Sequence, residues 1–361
     1  MDIKEFHKQI TEELLPYSAN PDKDFRDRLR TALRSYLEKI KDLTIDGRKV
    51  DQDALEDVKY ICDKIMDIVR DSMKGLSSTA YATLRNLLIG TRGKKPKEPK
   101  IDWKSVLAPI EPGYNFYRIR RMDYVYEIKR KELFHIPFNM RGLVKTQRYS
   151  TPGYPCLYLG ESIYGCWEEM RRPPMYAPAV SRFVNMNKVW FLNLTIPSVD
   201  QIKETRFLKL LPLIIACMVR VAHDDHTYKP EYIVSQLLIE WVLRQRAYFK
   251  KNGYDVHGVM YTSTHRGTDF DFPVEKAINY AIPVFNINKT SGYCKELSNC
   301  YHLTAPTTNE IQQLRERYGE VWRTLSMEDG HPVIKPDKYG VSDFGMLENR
   351  LLTQETRKCE D

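Results

Sequence analysis

A chain of 361 residues is long enough for two domains with proper cores, and its 42% hydrophobic and 29% charged content is that of a soluble globular protein. No window approaches the roughly 18 consecutive apolar residues of a membrane span, and the most apolar stretch, 207–221, is interrupted by Lys209, Pro212 and Arg220. The formal net charge of +8 points to anionic partners and leaves nucleic acid, a phosphorylated ligand and an acidic protein all open.

The first residues carry Asp2, Lys4 and Glu5 and no apolar signal core, which predicts a cytoplasmic protein. Over 24–42, Leu29, Leu33, Leu37 and Ile40 recur at helical spacing. A second helix is expected from about Asp53, with Leu55, Val58, Cys62, Ile65 and Val69 on one stripe, and a third over 78–88, stopped by Gly90 and Gly93. The run Lys94-Lys95-Pro96-Lys97-Glu98-Pro99-Lys100 reads as a charged linker. The expected division is therefore an N-terminal helical domain over 1–93, a linker over 94–112, a second domain over 113–305 and a C-terminal helix and tail over 306–361.

Beyond the linker, the aromatic and branched runs at 116–120, 155–159, 189–194, 258–261 and 282–285 read as strands. A helix follows Pro230, with Ile233, Leu237 and Trp241 on one face. The fold class is thus α+β, an all-helical bundle followed by a mixed α/β domain. After 307 the pattern predicts one helix over 311–325 and then a loosely ordered polar chain. Seven cysteines, with no CxxC pair, read as free thiols rather than a disulfide framework, and Cys294, Cys300 and His302 lack a fourth ligand at zinc spacing.

Several polar residues stand at the edges of these apolar runs. Arg118 lies in a strand-like run and is either a solvent-facing edge arginine or a fork for an anion such as a diphosphate. The turn Arg148-Tyr149-Ser150-Thr151-Pro152-Gly153 leads into a strand whose Tyr158 could stack on a ligand ring or fill a core. Glu168 and Glu169 project about 100° apart on a helix, so at most one faces a pocket, where a carboxylate could stabilise an oxocarbenium-like transition state. A solvated pair beside Arg171 and Arg172 is the plainer account. Hydroxyls, His265 and Arg266 end the 258–261 strand. His223-Asp224-Asp225-His226 reads as a solvated loop rather than a chelate. No phosphate-binding glycine loop, Gly-x-Ser-x-Gly elbow or HExxH helix occurs.

Taken in order, these segments resemble the RES family, named for an Arg, a Glu and a Ser. The Tyr-Arg opening is matched by Tyr117-Arg118, the turn by Arg148-Tyr149-Ser150 and Pro152-Gly153, and Leu-Tyr-Leu by Leu157-Tyr158-Leu159. The short helix ending in Glu corresponds to 162–169, where aligning Cys166-Trp167 selects Glu169 over Glu168. A Gln-bearing helix and a Gly-Ile-x-Tyr-x-Ser strand are matched by Gln236 and by Gly258 through Ser263. The match covers 113–285. Tyr149 departs from the usual Phe, and the stretch between Glu169 and Ser263 is longer than in compact members.

The resemblance implies an ADP-ribosyltransferase-like fold and an NAD-degrading activity, as a phosphorylase or glycohydrolase, in a bacterial toxin or defence effector restrained or triggered by a partner protein. It implies Glu169, Ser263 and Arg118 as catalytic residues. Arg118, Tyr158, Arg148, Gln236 and Tyr117 would contact NAD. NAD is the substrate, inorganic phosphate a co-substrate for phosphorolysis, and no metal or resident cofactor is expected. Transfer of ADP-ribose to a protein or nucleic acid, or an inactive module that binds nucleic acid, are the competing implications. The N-terminal helices resemble a HEPN-like bundle, but their only histidine, His7, precedes every arginine, so no Arg-x4–6-His motif exists. That module is expected to form a homo-oligomer, sense a trigger or restrain the NAD site.

Overall fold

The computed structural model describes residues 1–18, 22–91, 97–122, 128–174, 178–265, 274–285, 291–308, 327–328, 331–332 and 339–360. The N-terminal elements are α1 (Ile3–Lys8), α2 (Phe25–Lys41), a hairpin of β1 (Thr44–Ile45) and β2 (Arg48–Lys49), α3 (Gln52–Met73) and α4 (Ser77–Ile89). They are followed by β3 (Leu107–Ile110), β4 (Asn115–Arg121), β5 (Cys156–Gly160), α5 (Ile163–Glu169), β6 (Pro178–Asn185) and β7 (Val189–Leu194). Then come α6 (Val199–Ile202), α7 (Thr205–Cys217), α8 (Ile233–Lys251), β8 (Val256–Thr262), β9 (Ile278–Pro283), α9 (Lys295–Cys300), β10 (Tyr301–Leu303) and α10 (Asp343–Leu352). The architecture is α+β, with a helical N-terminal region. No helix among the described residues is long and apolar enough to cross a membrane.

The chain forms two compact units. The first comprises Met1–Ala108, Lys145–Pro152 and Leu192–Val256; the second comprises Pro109–Val144, Gly153–Phe191 and His257–Asp361. The first unit is helical. Asp24 caps α2 by accepting from the Arg26 N–H at 2.8 Å, and Leu29, Ala32, Leu33, Tyr36 and Ile40 bury one stripe of that helix. Helix α7 is apolar over most of its surface, and Leu208, Leu211, Leu213, Ile214 and Ile215 are fully buried, because it packs against α2, α3 and α8. Each such side chain contributes about 1.5–3 kcal/mol of burial free energy. The Tyr36 hydroxyl donates to Leu208 O at 2.7 Å, and the buried Arg28 pairs with Glu231 in the turn that opens α8. Residues 192–256 thus share a core with the N-terminal helices, although they lie late in the chain.

An eight-stranded sheet, order β10-β6-β4-β5-β9-β8-β7-β3, makes up most of the second unit. Its β10/β6, β6/β4, β4/β5, β5/β9 and β9/β8 pairs are antiparallel. Helix α5 packs on β4, β5 and β9. The strand expected at 282–285 instead runs Ile278–Pro283, four residues earlier at its start.

The expectation of a loosely ordered polar tail is corrected for 339–360. Ser342 caps α10, its hydroxyl accepting from the Gly345 N–H at 3.2 Å. Phe344, Leu347 and Leu351 are fully buried in one cluster with Tyr117, Ile119, Tyr164 and Trp167. Three apolar residues at helical spacing outweigh the charges between them. The helix expected over 311–325 lies outside the described residues.

Candidate active site

The candidate site grows from α5, a helix too short to hold itself in place without tertiary contacts. Its N-cap, Ser162, accepts from the Gly165 N–H at 3.0 Å and donates to Lys276 O at 2.8 Å. Close seating on β5 requires a glycine at 160: a Cβ there would lie 2.5 Å from Cys166 Sγ and 3.3 Å from Asn279 Oδ1. At the other end, Arg171 and Arg172 both adopt left-handed backbone, with φ of 63° and 53°, a conformation non-glycine residues adopt at some expense. The reversal brings Arg172 back over its own helix, where Nε donates to Glu168 Oε2 at 3.1 Å and Nη2 lies 2.8 Å from Oε1.

The two adjacent carboxylates are thereby separated in role. Glu168 is buried and held by Arg172. Glu169 is half-buried, and its Oε1 accepts from Ser263 Oγ at 2.6 Å and Asn279 Nδ2 at 2.7 Å. Its Oε2 accepts no hydrogen bond from any described residue. Ser263 is 1% exposed and follows β8 directly. Its N–H donates to Ala277 O at 2.8 Å, and its hydroxyl oxygen accepts from the His265 N–H at 2.9 Å. Asn279 stands on β9, directly opposite Gly160. The result is a carboxylate whose one oxygen is braced by a hydroxyl and an amide.

Arg118 on β4 occupies the point where the sheet loosens. Strands β4 and β5 pair through the single bridge Tyr117↔Gly160, and beyond it Arg118 Nη1 donates to Tyr158 O at 2.7 Å. Among the described residues, the enclosed Arg118 Nε has no hydrogen-bond partner, and no carboxylate pairs with this guanidinium. Burial, with a smaller contribution from the charge of Arg120, pulls its pKa down to about 10, so it stays a cation at neutral pH. Cys166 on α5 feels both Arg118 and Glu169, and burial pushes its thiol up to about 12. His135 is driven the other way, down to about 4, chiefly by burial, with the Arg118 charge helping. Its Nε2 accepts from the Cys294 N–H at 2.9 Å while Nδ1 lies 2.8 Å from Ile136 O, the pattern of a neutral ring protonated at Nδ1.

The structure therefore brings Glu169 and Ser263 together, and Arg118 onto the Tyr158 backbone. Tyr158 is half-buried and opposite Ala281. Tyr117 is 5% exposed in the cluster with Phe344 and Leu347, so its ring fills core. Arg148 and Gln236 belong to the first unit and anchor one turn there. Arg148 Nη1 donates to Cys217 O and Val219 O, and its guanidinium stacks 5.0 Å from the Tyr232 ring. Gln236 Nε2 lies 2.9–3.0 Å from Gln147 O, Thr146 Oγ1 and Ser150 O. Arg148 Nη1 and Gln236 Nε2 are thus engaged by the protein itself.

Asn279 is the residue that sequence reasoning missed. A carboxamide inside the apolar run Ile278–Pro283 was the available signal, because a buried amide must find partners. His223, Asp225 and His226 bring ligand atoms within 4.8 Å of one another, all on exposed residues. All seven cysteines are free thiols.

Residues 115–286 match the family model of the RES domain. A protein of Bacillus subtilis (strain 168) named "Putative toxin YopC" is 32% identical over 217 residues, which cover 55% of this chain and 47% of that relative. The chain spans about half the length of this relative. No solved structure matches.

Proposed function

We propose, from the match of residues 115–286 to the RES domain, that the protein breaks the nicotinamide–ribose bond of NAD, by phosphorolysis or hydrolysis. The observation that carries the proposal is the Glu169 carboxylate, with Oε1 fixed by Ser263 and Asn279 and Oε2 accepting from no described residue. Glycosidic bonds of this kind break through a cationic sugar, which a fixed, preorganised negative charge stabilises by a few kcal/mol. The C1″–N bond breaks with its electron pair going to the pyridinium nitrogen, so nicotinamide leaves neutral. An oxygen of water or inorganic phosphate then bonds to C1″, and the proton it carried passes to solvent.

In this reading Glu169 Oε2 faces the nicotinamide ribose, and Ser263 orients both the carboxylate and the substrate. Arg118, a half-buried cation with no carboxylate partner among the described residues, grips the diphosphate. Tyr158 packs on the ribose or nicotinamide. No step needs a metal. Given the name of the relative, the activity is that of a toxin whose depletion of NAD is held in check by a partner protein.

The test is incubation of the purified chain with NAD, with and without phosphate. Release of nicotinamide with ADP-ribose supports hydrolysis, and release with the 1″-phosphate supports phosphorolysis. Label transferred to protein or nucleic acid redirects the reading to a transferase. Intact NAD together with salt-sensitive nucleic-acid binding refutes it in favour of a binding module.

A further inference from the structure

Helix α5 carries Glu169 at its C-terminal end, and the groups that fix its N-terminal end come from far along the chain. The first free N–H, that of Ile163, donates to Glu348 Oε1 on α10 at 2.8 Å, across 185 positions. The Tyr339 hydroxyl donates to the same oxygen. Glu348 is 6% exposed, and its second oxygen lies 3.8 Å from Lys276 Nζ. A carboxylate at a helix N-terminus satisfies an orphan donor and complements the helix dipole. Around this polar core, the Phe344 ring stands 5.2 Å from Tyr164 and 5.3 Å from Trp167, centroid to centroid. Helix α5 thus contacts both the sheet and α10.

Segment 339–352 lies outside the 115–286 match to the RES domain. We infer that this C-terminal segment is a clamp that sets the aim of Glu169, with Glu348 as a positioning residue for the reaction. The inference rests on the reading of Glu169 as the reacting carboxylate. The lever is mechanical. From Ile163 to Glu169 the helix rises about 9 Å, so a tilt of about 10° at the loosened end moves the carboxylate by about 1.5 Å. Displacements of about 1 Å at reacting groups can slow a reaction about 100-fold.

The experiment compares full-length wild type, Glu348→Gln, Glu348→Ala and Tyr339→Phe by NAD turnover, thermal unfolding and amide hydrogen exchange of the peptide spanning 162–169. Glu348→Ala is expected to lower kcat about 10- to 100-fold with KM for NAD within about twofold, because aim is lost while binding is kept. Exchange across 162–169 should rise about tenfold or more, with β4 and β6 unaffected. Glu348→Gln keeps an oxygen acceptor for Ile163 and Tyr339 and should restore kcat to within about threefold. A folded Glu348→Ala with wild-type kcat, unchanged exchange at 162–169, or a Gln variant as impaired as Ala overturns the inference. If Glu348→Ala does not fold, Tyr339→Phe decides: kcat should fall about three- to tenfold through loss of one donor, and wild-type kcat with wild-type exchange overturns the clamp. Should the wild type leave NAD intact, the functional reading fails, while the exchange data still accept or reject the clamp.

Discussion

Replacing Glu169 with Gln removes a charge and little else. The glutamine oxygen can accept from Ser263 Oγ and Asn279 Nδ2 as the carboxylate does at 2.6 and 2.7 Å, so the site keeps its shape. At about 4 Å and an effective dielectric of about 20, a full charge pair is worth about 4 kcal/mol, and a half-developed cation about 2. The expected loss of about 2–4 kcal/mol of transition-state stabilisation is a fall in kcat of about 30- to 1,000-fold. Binding of NAD, read by calorimetric titration, should change less than about threefold, since the positive charge at C1″ on which the carboxylate acts develops only near the transition state. Initial rates of nicotinamide release give kcat and KM. Glu168→Gln is the internal control, because Glu168 pairs with Arg172 and takes no part in the Ser263–Asn279 cluster. A Glu169→Gln enzyme within about threefold of wild type, or a dead Glu168→Gln beside an active Glu169→Gln, would refute the reasoning.

Asn279→Ala removes one of two donors to a charged acceptor, a bond worth about 1.5–3 kcal/mol, so nicotinamide release should slow about 10- to 100-fold; an unchanged rate would leave Ser263 as the sole brace. Gly160→Ala places a Cβ 2.5 Å from Cys166 Sγ and should lower both the melting temperature and turnover by displacing α5; a variant equal to wild type in both would show that the thiol moves aside freely. Arg28→Met leaves Glu231 buried without its partner and should cost about 3–5 kcal/mol of stability in urea unfolding; a change under about 1 kcal/mol would mean the pair is readily rehydrated. For His135 the folded pKa, about 4, is below the unfolded 6.5. Between those values the unfolded chain holds more protons, so the stabilisation is complete above 6.5 and is lost as pH falls toward 4, by about 3 kcal/mol. Wild type should therefore lose about that much more than His135→Gln between pH 7 and pH 4. Burial raises the pKa of both Glu161 and Glu348, which works in the opposite sense and cancels in that difference; identical pH profiles would sink the assignment.

Local periodicity carried the elements of the helical region because α2 and α3 bury one stripe each, and the Pro230 turn announced α8. It could not carry the grouping of 192–256 with the N-terminal helices, since the Arg28–Glu231 pair and the Tyr36–Leu208 bond join residues 203 and 172 positions apart. Glu169 was separable from Glu168 only by motif register; in the structure the separation is physical, through the backward turn of Arg172. Asn279 was hidden because the apolar residues up to Phe285 drew the expected strand too late, past the one polar position that faces Glu169. Helix α10 was hidden by its own charges: Glu348 reads as a solvent-facing residue of a polar tail until its acceptor role at Ile163 is known.

These hidden features share a cause that bears on how the site works. A seven-residue helix has almost no intrinsic stability in water, so nothing in α5 itself can determine where Glu169 points. Its direction must be set by what meets the helix from outside: Gly160 beneath it, Lys276 O and Glu348 at its start, and Ser263 and Asn279 at its end. Electrostatic stabilisation of a transient cation depends on the charge being in place before the bond breaks, because reorientation during the reaction would consume the same energy it supplies. The sensitivity of turnover should therefore follow contact with α5 rather than contact with substrate. Tyr117 is the discriminating case, since its ring is packed with Phe344 and Leu347 in the cluster that supports this helix. Tyr117→Leu should reduce kcat with KM preserved, the signature of a misaimed carboxylate, whereas a residue that touches NAD would raise KM when replaced. A Tyr117→Leu enzyme with raised KM and unchanged kcat would return that tyrosine to the binding surface and overturn this account of α5.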